Sequence, residues 1–176
     1  MDIYKDKWTV LEQQVFSLMC VRAGERLSQR EIAQSLGVSP TAVASAVRKL
    51  AGYVRVERTK NINFVSLDRE SAKTIALKRV ENLKNVYQSG LLDYLEDELP
   101  GGTIVLFGSY SRGEDALSSD IDIAVIGRKD KLLRLEPHEK ALHRKINVSF
   151  YERWSSIHKH LRNNILSGIL LAGSVE

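Results

Sequence analysis

The chain has 176 residues, of which 43% are hydrophobic, with 26 Lys and Arg against 22 Asp and Glu for a net charge of +4. That is enough apolar residue for a packed core, in two small domains or one of medium size, and it excludes a disordered chain. The single Cys20 excludes an internal disulfide or a Cys-based zinc site and is expected to be a buried small apolar residue, and the charged N-terminus and the lack of any long apolar run point to a soluble, cytoplasmic protein with no membrane segment.

In chain order, Thr9 to Ala23 reads as a helix, with Thr9 and Glu12 as a capping box and Gly24 as its stop. Leu11, Val15, Leu18 and Met19 give it an apolar stripe. Ser28 to Ser35 reads as a second helix, opened by Ser28 and Glu31, with Gly37-Val38 as a tight turn. Ser39 caps a third helix, Pro40 takes its first position, and it runs to about Leu50. Val43, Val47 and Leu50 face inward at helical spacing, whereas Thr41, Ala44, Ser45 and Arg48 share the opposite face, small enough to approach base edges or phosphates.

Two strands follow, Tyr53 to Glu57 and Ile62 to Leu67, around the turn Arg58-Thr59-Lys60-Asn61. Arg48, Lys49, Arg55, Arg58 and Lys60 lie in this part of the chain against one acid, Glu57, a local excess that suggests nucleic acid. Helix, helix, turn, helix, hairpin is the order of a winged helix-turn-helix. The segment from Leu27 to Val43 resembles the helix-turn-helix of bacterial and archaeal transcription regulators. The resemblance implies binding to double-stranded DNA through Thr41, Ser45, Arg48, Lys49, Arg58 and Lys60, and by analogy a homodimer.

Asp68 to Ser89 reads as a long helix with Ala72, Ile75, Ala76, Leu83 and Val86 or Tyr87 inward and Lys73, Lys78 and Lys84 outside. Gly90 ends or kinks it, and Leu91 to Leu99 continues as helix to the stop at Pro100-Gly101-Gly102. The expected domains are residues 1–67 and 68–176, with 68–99 a helical part of the second, a connector, or a dimer seam.

Thr103 to Phe107 and Ile121 to Ile126 are short apolar, β-branched runs of strand length. Between them Gly108-Ser109 forms a turn whose backbone N–H groups can approach an anion, and Arg112, in the helix it opens, can pair with phosphate oxygens. Asp120 and Asp122 are two apart on a strand, so both carboxylates face one way while Ile121, Ile123 and Val125 face the core. Two like charges side by side favour a divalent cation between them, and oxygen ligands favour Mg2+ or Mn2+ over zinc.

Gly108-Ser109, ten residues, then Asp120-Ile121-Asp122 resembles the polymerase-β-like nucleotidyltransferase superfamily, and the fuller run with Arg112-Gly113 and Ser119 resembles its minimal nucleotidyltransferase branch. The resemblance implies an α+β protein: a winged helix-turn-helix followed by an α/β domain with a small mixed sheet flanked by helices. It implies nucleotide binding by Gly108, Ser109, Arg112 and Gly113, metal held by the catalytic pair Asp120 and Asp122, and transfer of a nucleoside monophosphate from a magnesium-bound triphosphate. The acceptor is open among a partner protein such as a toxin, a small molecule and an RNA end.

Catalytic relatives carry a third carboxylate on the next strand. Here that strand, Ile146 to Tyr151, offers Asn147 and Ser149, and an amide cannot act as a base at neutral pH. Glu152, just past the strand, is the candidate substitute, with no spacing argument behind it. The alternative is therefore a transcription regulator whose transferase domain binds nucleotide without turning it over.

Leu132 to Arg144 reads as helix with a break near Pro137, and Ser155 to Asn163 as another, with His158 and His160 pointing to different sides. The apolar run Asn164 to Gly173 is expected to pack on the sheet, and Trp8 and Trp154 to serve in packing.

Overall fold

The structure, a computed structural model, describes residues 7–175. The charged residues 1–6 at the N-terminus lie outside it. The chain divides between Ile75 and Ala76 into two compact units.

The first unit orders α1 (Val10–Val21), β1 (Leu27–Ser28), α2 (Gln29–Leu36), α3 (Pro40–Lys49), β2 (Val54–Thr59) and β3 (Ile62–Leu67). Both capping boxes form: the Thr9 and Ser28 hydroxyls accept from the Glu12 and Glu31 amides, while each glutamate accepts from its cap's amide. The Ser28 backbone and hydroxyl bonds hold the Glu31 carboxyl below its ordinary value. Gly37 ends α2 in the left-handed region, φ 66°, where a residue without a Cβ is unstrained. Val15, Met19, Ile32, Val43, Val47, Leu50 and Val65 make the core, with Cys20 buried beside them. Trp8 packs on Phe16 and Tyr53 at 4.9 Å, in the packing role expected of it. Lys60-Asn61 alone make the hairpin turn, because β2 continues through Thr59, which faces Ile62. The sequence pattern does not show β1, where Leu27 and Ser28 pair with Val65 and Phe64; its two residues are too few for periodicity to mark.

The helix α4 spans Ala72–Gln88, starting four residues later than the pattern predicts. Asp68 is engaged by Arg55 at 2.8 Å and accepts from the Glu70 amide. The Ser71 hydroxyl accepts from the Thr74 amide, so the side chains of 68–71 form the approach to the helix rather than its first turn.

The rest of the second unit is α5 (Leu91–Glu98), β4 (Thr103–Phe107), α6 (Gly108–Arg112), β5 (Ile121–Ile126), α7 (Glu136–Leu142), β6 (Ile146–Tyr151), α8 (Lys159–Leu166) and β7 (Ile169–Ala172). The sheet order is β6-β5-β4-β7, with β5 and β6 parallel and the other pairs antiparallel. It is a mixed sheet covered on both faces. One face buries Ile104, Leu106, Ile121, Ile123 and Val125 under Val86, Leu91 and Leu95. The other buries Val105, Phe107, Ala124 and Ile126 under Ile157 and Ile165, with Trp154 packed at its margin.

Three expectations are corrected here. Pro137 does not break a helix that begins at Leu132; it sits in the first turn of α7, where its missing N–H costs nothing. Residues 154–156 form a separate short turn, and α8 begins at Lys159. The apolar tail packs on the sheet only at its start, through Ile165 of α8; from Ile169 it enters the sheet, where β7 pairs with β4 as an edge strand.

The largest correction concerns α4. Thr74, Lys78, Asn82 and Val86 are its buried line, whereas Val80 is 63% and Tyr87 50% exposed, and Ala72 and Ala76 are exposed too. Lys78, read as outside, is 1% exposed. Its ammonium meets the buried Asp115 carboxylate, and that partner outweighs the helix's own apolar pattern.

Candidate functional site

The site assembles where β4 ends and β5 begins. Antiparallel pairing sets Phe107, the last residue of β4, opposite Asp122 on β5. The chain then turns at Gly108, φ 76°. A Cβ at Gly108 would lie 2.4 Å from Asp122 Oδ2. The carboxylate therefore sits against the turn's own backbone, at a distance that only glycine permits.

The turn enters α6, which ends at Gly113 in the left-handed region, with its N–H directed to the Ser109 and Tyr110 carbonyls. Ser109 is half-buried in the first turn of α6. Arg112 lies in its last turn; its guanidinium donates to Glu114 at 2.7 Å and to Asn164 at 3.4 Å.

Asp120 immediately precedes β5 and is exposed, while Asp122 is half-buried. Asn147 on β6 pairs with Asp122 in the parallel ladder. Its side-chain amide donates to Asp120 at 3.1 Å and helps stabilise the ionised form of Asp122. Burial pushes the Asp122 carboxyl above its ordinary value; the Asn147 bond partly offsets this, and the Asp120 charge adds to the rise. The two acids and the glycine turn thus converge on one face, that of Phe107 and Ala124. An electrostatically strained carboxylate pair is the donor set that a hard divalent cation relieves, with water and phosphate oxygens completing its shell. Among the described residues no group of three or more His, Cys, Asp and Glu is placed to hold a metal.

Glu152 does not supply a third acid. It follows Tyr151, which pairs with Ile126 at the far end of the ladder, about 16 Å from Asn147 at strand rise. His158 and His160 do not diverge as a helix would make them: His158 precedes α8, and the two rings lie 5.5 Å apart. Beside Asp120 opens a cavity of about 600 Å³, lined among others by Ser119, Lys140, His143 and Lys145. Glu139 accepts from Lys145 there at 2.9 Å, an ion pair that raises the lysine pKa and lowers that of the glutamate.

Periodicity does not reveal the polar cluster behind the segment that joins Gly113 to Asp120. Asp115 is 1% exposed. It accepts from Lys78, from Asn82 at 2.7 Å and from Arg144 at 3.4 Å. The stretch holds two acids, Glu114 and Asp115, and nothing in the sequence marks Asp115 as the buried one.

In the first unit Thr41, Ser45, Arg48 and Lys49 are exposed on or at the end of α3, and Arg58 and Lys60 are exposed at the hairpin tip. Two expectations about charge change. Arg55 is engaged by Asp68 and Glu70 at 2.8 and 2.6 Å, so it is not part of the free positive surface. Glu57 pairs with Arg26 at 2.9 Å, which neutralises the only acid in the basic run.

Residues 89–171 match the family model of the nucleotidyltransferase domain, and residues 20–51 that of winged helix-turn-helix DNA-binding. The chain is a winged helix-turn-helix joined to a nucleotidyltransferase domain. No curated protein and no solved structure matches it.

Proposed function

We propose that this protein transfers a nucleoside monophosphate from a magnesium-bound nucleoside triphosphate to an acceptor hydroxyl, and that its N-terminal domain binds duplex DNA. The domains of this reading are residues 1–67 and 68–176, acting in the cytoplasm. The observation that carries it is the packing of the Asp122 carboxylate against the Gly108 backbone, because it brings phosphate donors and a metal-holding acid within one bound polyphosphate. Gly108, Ser109 and Gly113 shape the turn whose N–H groups and hydroxyl hold the phosphates. Asp120 and Asp122 hold Mg2+, or Mn2+. Arg112 joins the phosphates by exchanging its Glu114 partner for them. The metal, when bound, neutralises phosphate charge and favours in-line displacement. No helix among the described residues is long and apolar enough to cross a membrane.

A second reading is favoured by Asn147. An amide donating to Asp120 stands where a base is wanted, which suits a regulator that binds nucleotide and does not turn it over. Labelled triphosphate separates the two. Magnesium-dependent transfer or pyrophosphate release that disappears in Asp120→Ala supports the transferase. Binding that shifts DNA affinity without turnover supports the regulator. Absence of any magnesium-dependent nucleotide binding sinks both. The acceptor, whether a partner protein or another hydroxyl, follows from which component carries the label; light scattering tests the homodimer.

Duplex DNA is assigned to Thr41, Ser45, Arg48, Lys49, Arg58 and Lys60. Arg48→Ala with Lys60→Ala should flatten the slope of log affinity against log salt by about two, one phosphate contact for each cation. A fluorescence-anisotropy titration at several salt concentrations measures it. An unchanged slope removes these two cations from the interface.

A further inference from the structure

Three buried charges lie behind the site. Lys78 and Asn82 come from α4, Asp115 from the segment between α6 and β5, and Arg144 from the turn before β6. The Lys78 and Arg144 side chains are 1% exposed and that of Asp115 is 0%. Asn82 ties the group together: it accepts from Lys78 at 3.3 Å and donates to Asp115 at 2.7 Å and to the Tyr110 carbonyl of α6 at 2.9 Å. Two cations and one anion leave a net buried charge of +1.

Such a cluster is a poor way to gain stability. Desolvating charged groups offsets most of their attraction, and apolar side chains of similar volume commonly do as well. What it does provide is a fixed geometry, and the place it fixes is specific. Residues 113–120 have no regular structure, yet they join the phosphate turn to the acid pair. Asp115 is their buried anchor, and a local turn, with Ser119 N–H bonded to the Ala116 carbonyl at 2.9 Å and Ala116 N–H to the Ser119 hydroxyl at 3.0 Å, carries the chain on to Asp120. Asn82 holds the α6 backbone with the same amide that binds Asp115. One cluster therefore sets the separation between Gly108-Ser109 and Asp120.

We propose that Lys78, Asn82, Asp115 and Arg144 are positioning residues that hold segment 113–120 in its binding geometry before nucleotide arrives, an inference that rests on the nucleotide reading above. The test is the full chain against Lys78→Met/Asp115→Asn. The pair of substitutions keeps the buried net charge at +1. The amide introduced in place of the Asp115 carboxylate has one acceptor oxygen, so it can serve Asn82 or Arg144 but not both, and the ion pair that fixes the segment is gone. Mg-ATP affinity, measured with a fluorescent ATP analogue at a temperature where circular dichroism shows the variant folded, should fall by about tenfold or more, while its melting temperature falls because Arg144 loses its carboxylate. Equal affinity in the two proteins overturns the positioning role.

Amide hydrogen exchange on the wild-type chain gives a second measurement that does not depend on the variant folding. The hydrogen-bonded amides of Glu114, Ala116 and Ser119 should be protected without nucleotide and little changed by Mg-ATP. Fast exchange that slows on binding shows that nucleotide orders the segment, and overturns the inference. Wild-type protein that binds no Mg-ATP sinks the nucleotide reading and this role together. Wild type that binds, with a variant that binds equally well, sinks the positioning role alone.

Discussion

Asp122→Asn should abolish magnesium-dependent nucleotide binding and at the same time raise the melting temperature at neutral pH. The loss follows from removing one of the two carboxylates proposed to hold the metal; affinity for Mg-ATP should drop about a hundredfold or more. The gain follows from the state of Asp122 without metal. Burial first, and the Asp120 charge after it, push its carboxyl above the ordinary aspartate value. Its pKa is thus higher in the folded than in the unfolded chain. Over the window between the two values the folded state binds more protons, so stability contributed by this group falls as pH rises through the window. At neutral pH the ionised form works against folding, and an uncharged amide removes that cost. Thermal melts of the two proteins at neutral and mildly acidic pH check this: the stabilisation should shrink as pH drops and wild-type Asp122 takes up its proton. Wild-type affinity for Mg-ATP should weaken over the same window, because the proton competes with the cation. A variant that melts lower than wild type at neutral pH, or binds Mg-ATP equally well, contradicts the assignment.

Asp115→Ala should be the most destabilising single change among the polar residues of the second unit. It leaves the Lys78 and Arg144 side chains, each 1% exposed, without their shared carboxylate, and removes one of the two acceptors of the Asn82 amide. Breaking a buried ion pair costs about 3–5 kcal/mol. Urea unfolding followed by circular dichroism should show a large fall in midpoint. Glu114→Ala, one residue away and pairing with Arg112 on the surface at 2.7 Å, should cost at most about 1 kcal/mol. The contrast separates burial from mere charge: both acids sit in the same segment and face cations, and only their access to water differs. Similar midpoints for the two variants would contradict the buried cluster.

Local features were legible because their causes are local. Thr9 and Glu12, and Ser28 and Glu31, are capping boxes whose partners lie three residues apart, so sequence contains the whole interaction. Pro40 and Gly37 impose their own backbone angles. The alternation that turns Ile121, Ile123 and Val125 to one face and Asp122 to the other is a property of the strand itself. Errors arose where a partner lies far along the chain. Lys78 reads as surface until Asp115, 37 residues on, is brought against it. Arg55 reads as a free cation until Asp68 and Glu70 close on it. His158 and His160 read as neighbours on a helix, but α8 starts at Lys159 and leaves His158 before it.

From its residues alone the chain determined two things: a winged helix built from caps and an apolar stripe, and a glycine-serine turn ten residues ahead of a pair of acids. Spacing suffices for these because strands alternate and helices repeat at fixed periods. The tertiary structure decided what those residues confront. It set Gly108 against Asp122, brought the Asn147 amide onto Asp120, sent Glu152 to the opposite end of the sheet, and turned the polar line of α4 inward onto Asp115. The reason is that burial and electrostatic cost are properties of neighbours in space, and strand order, which decides those neighbours, is not written in any local period.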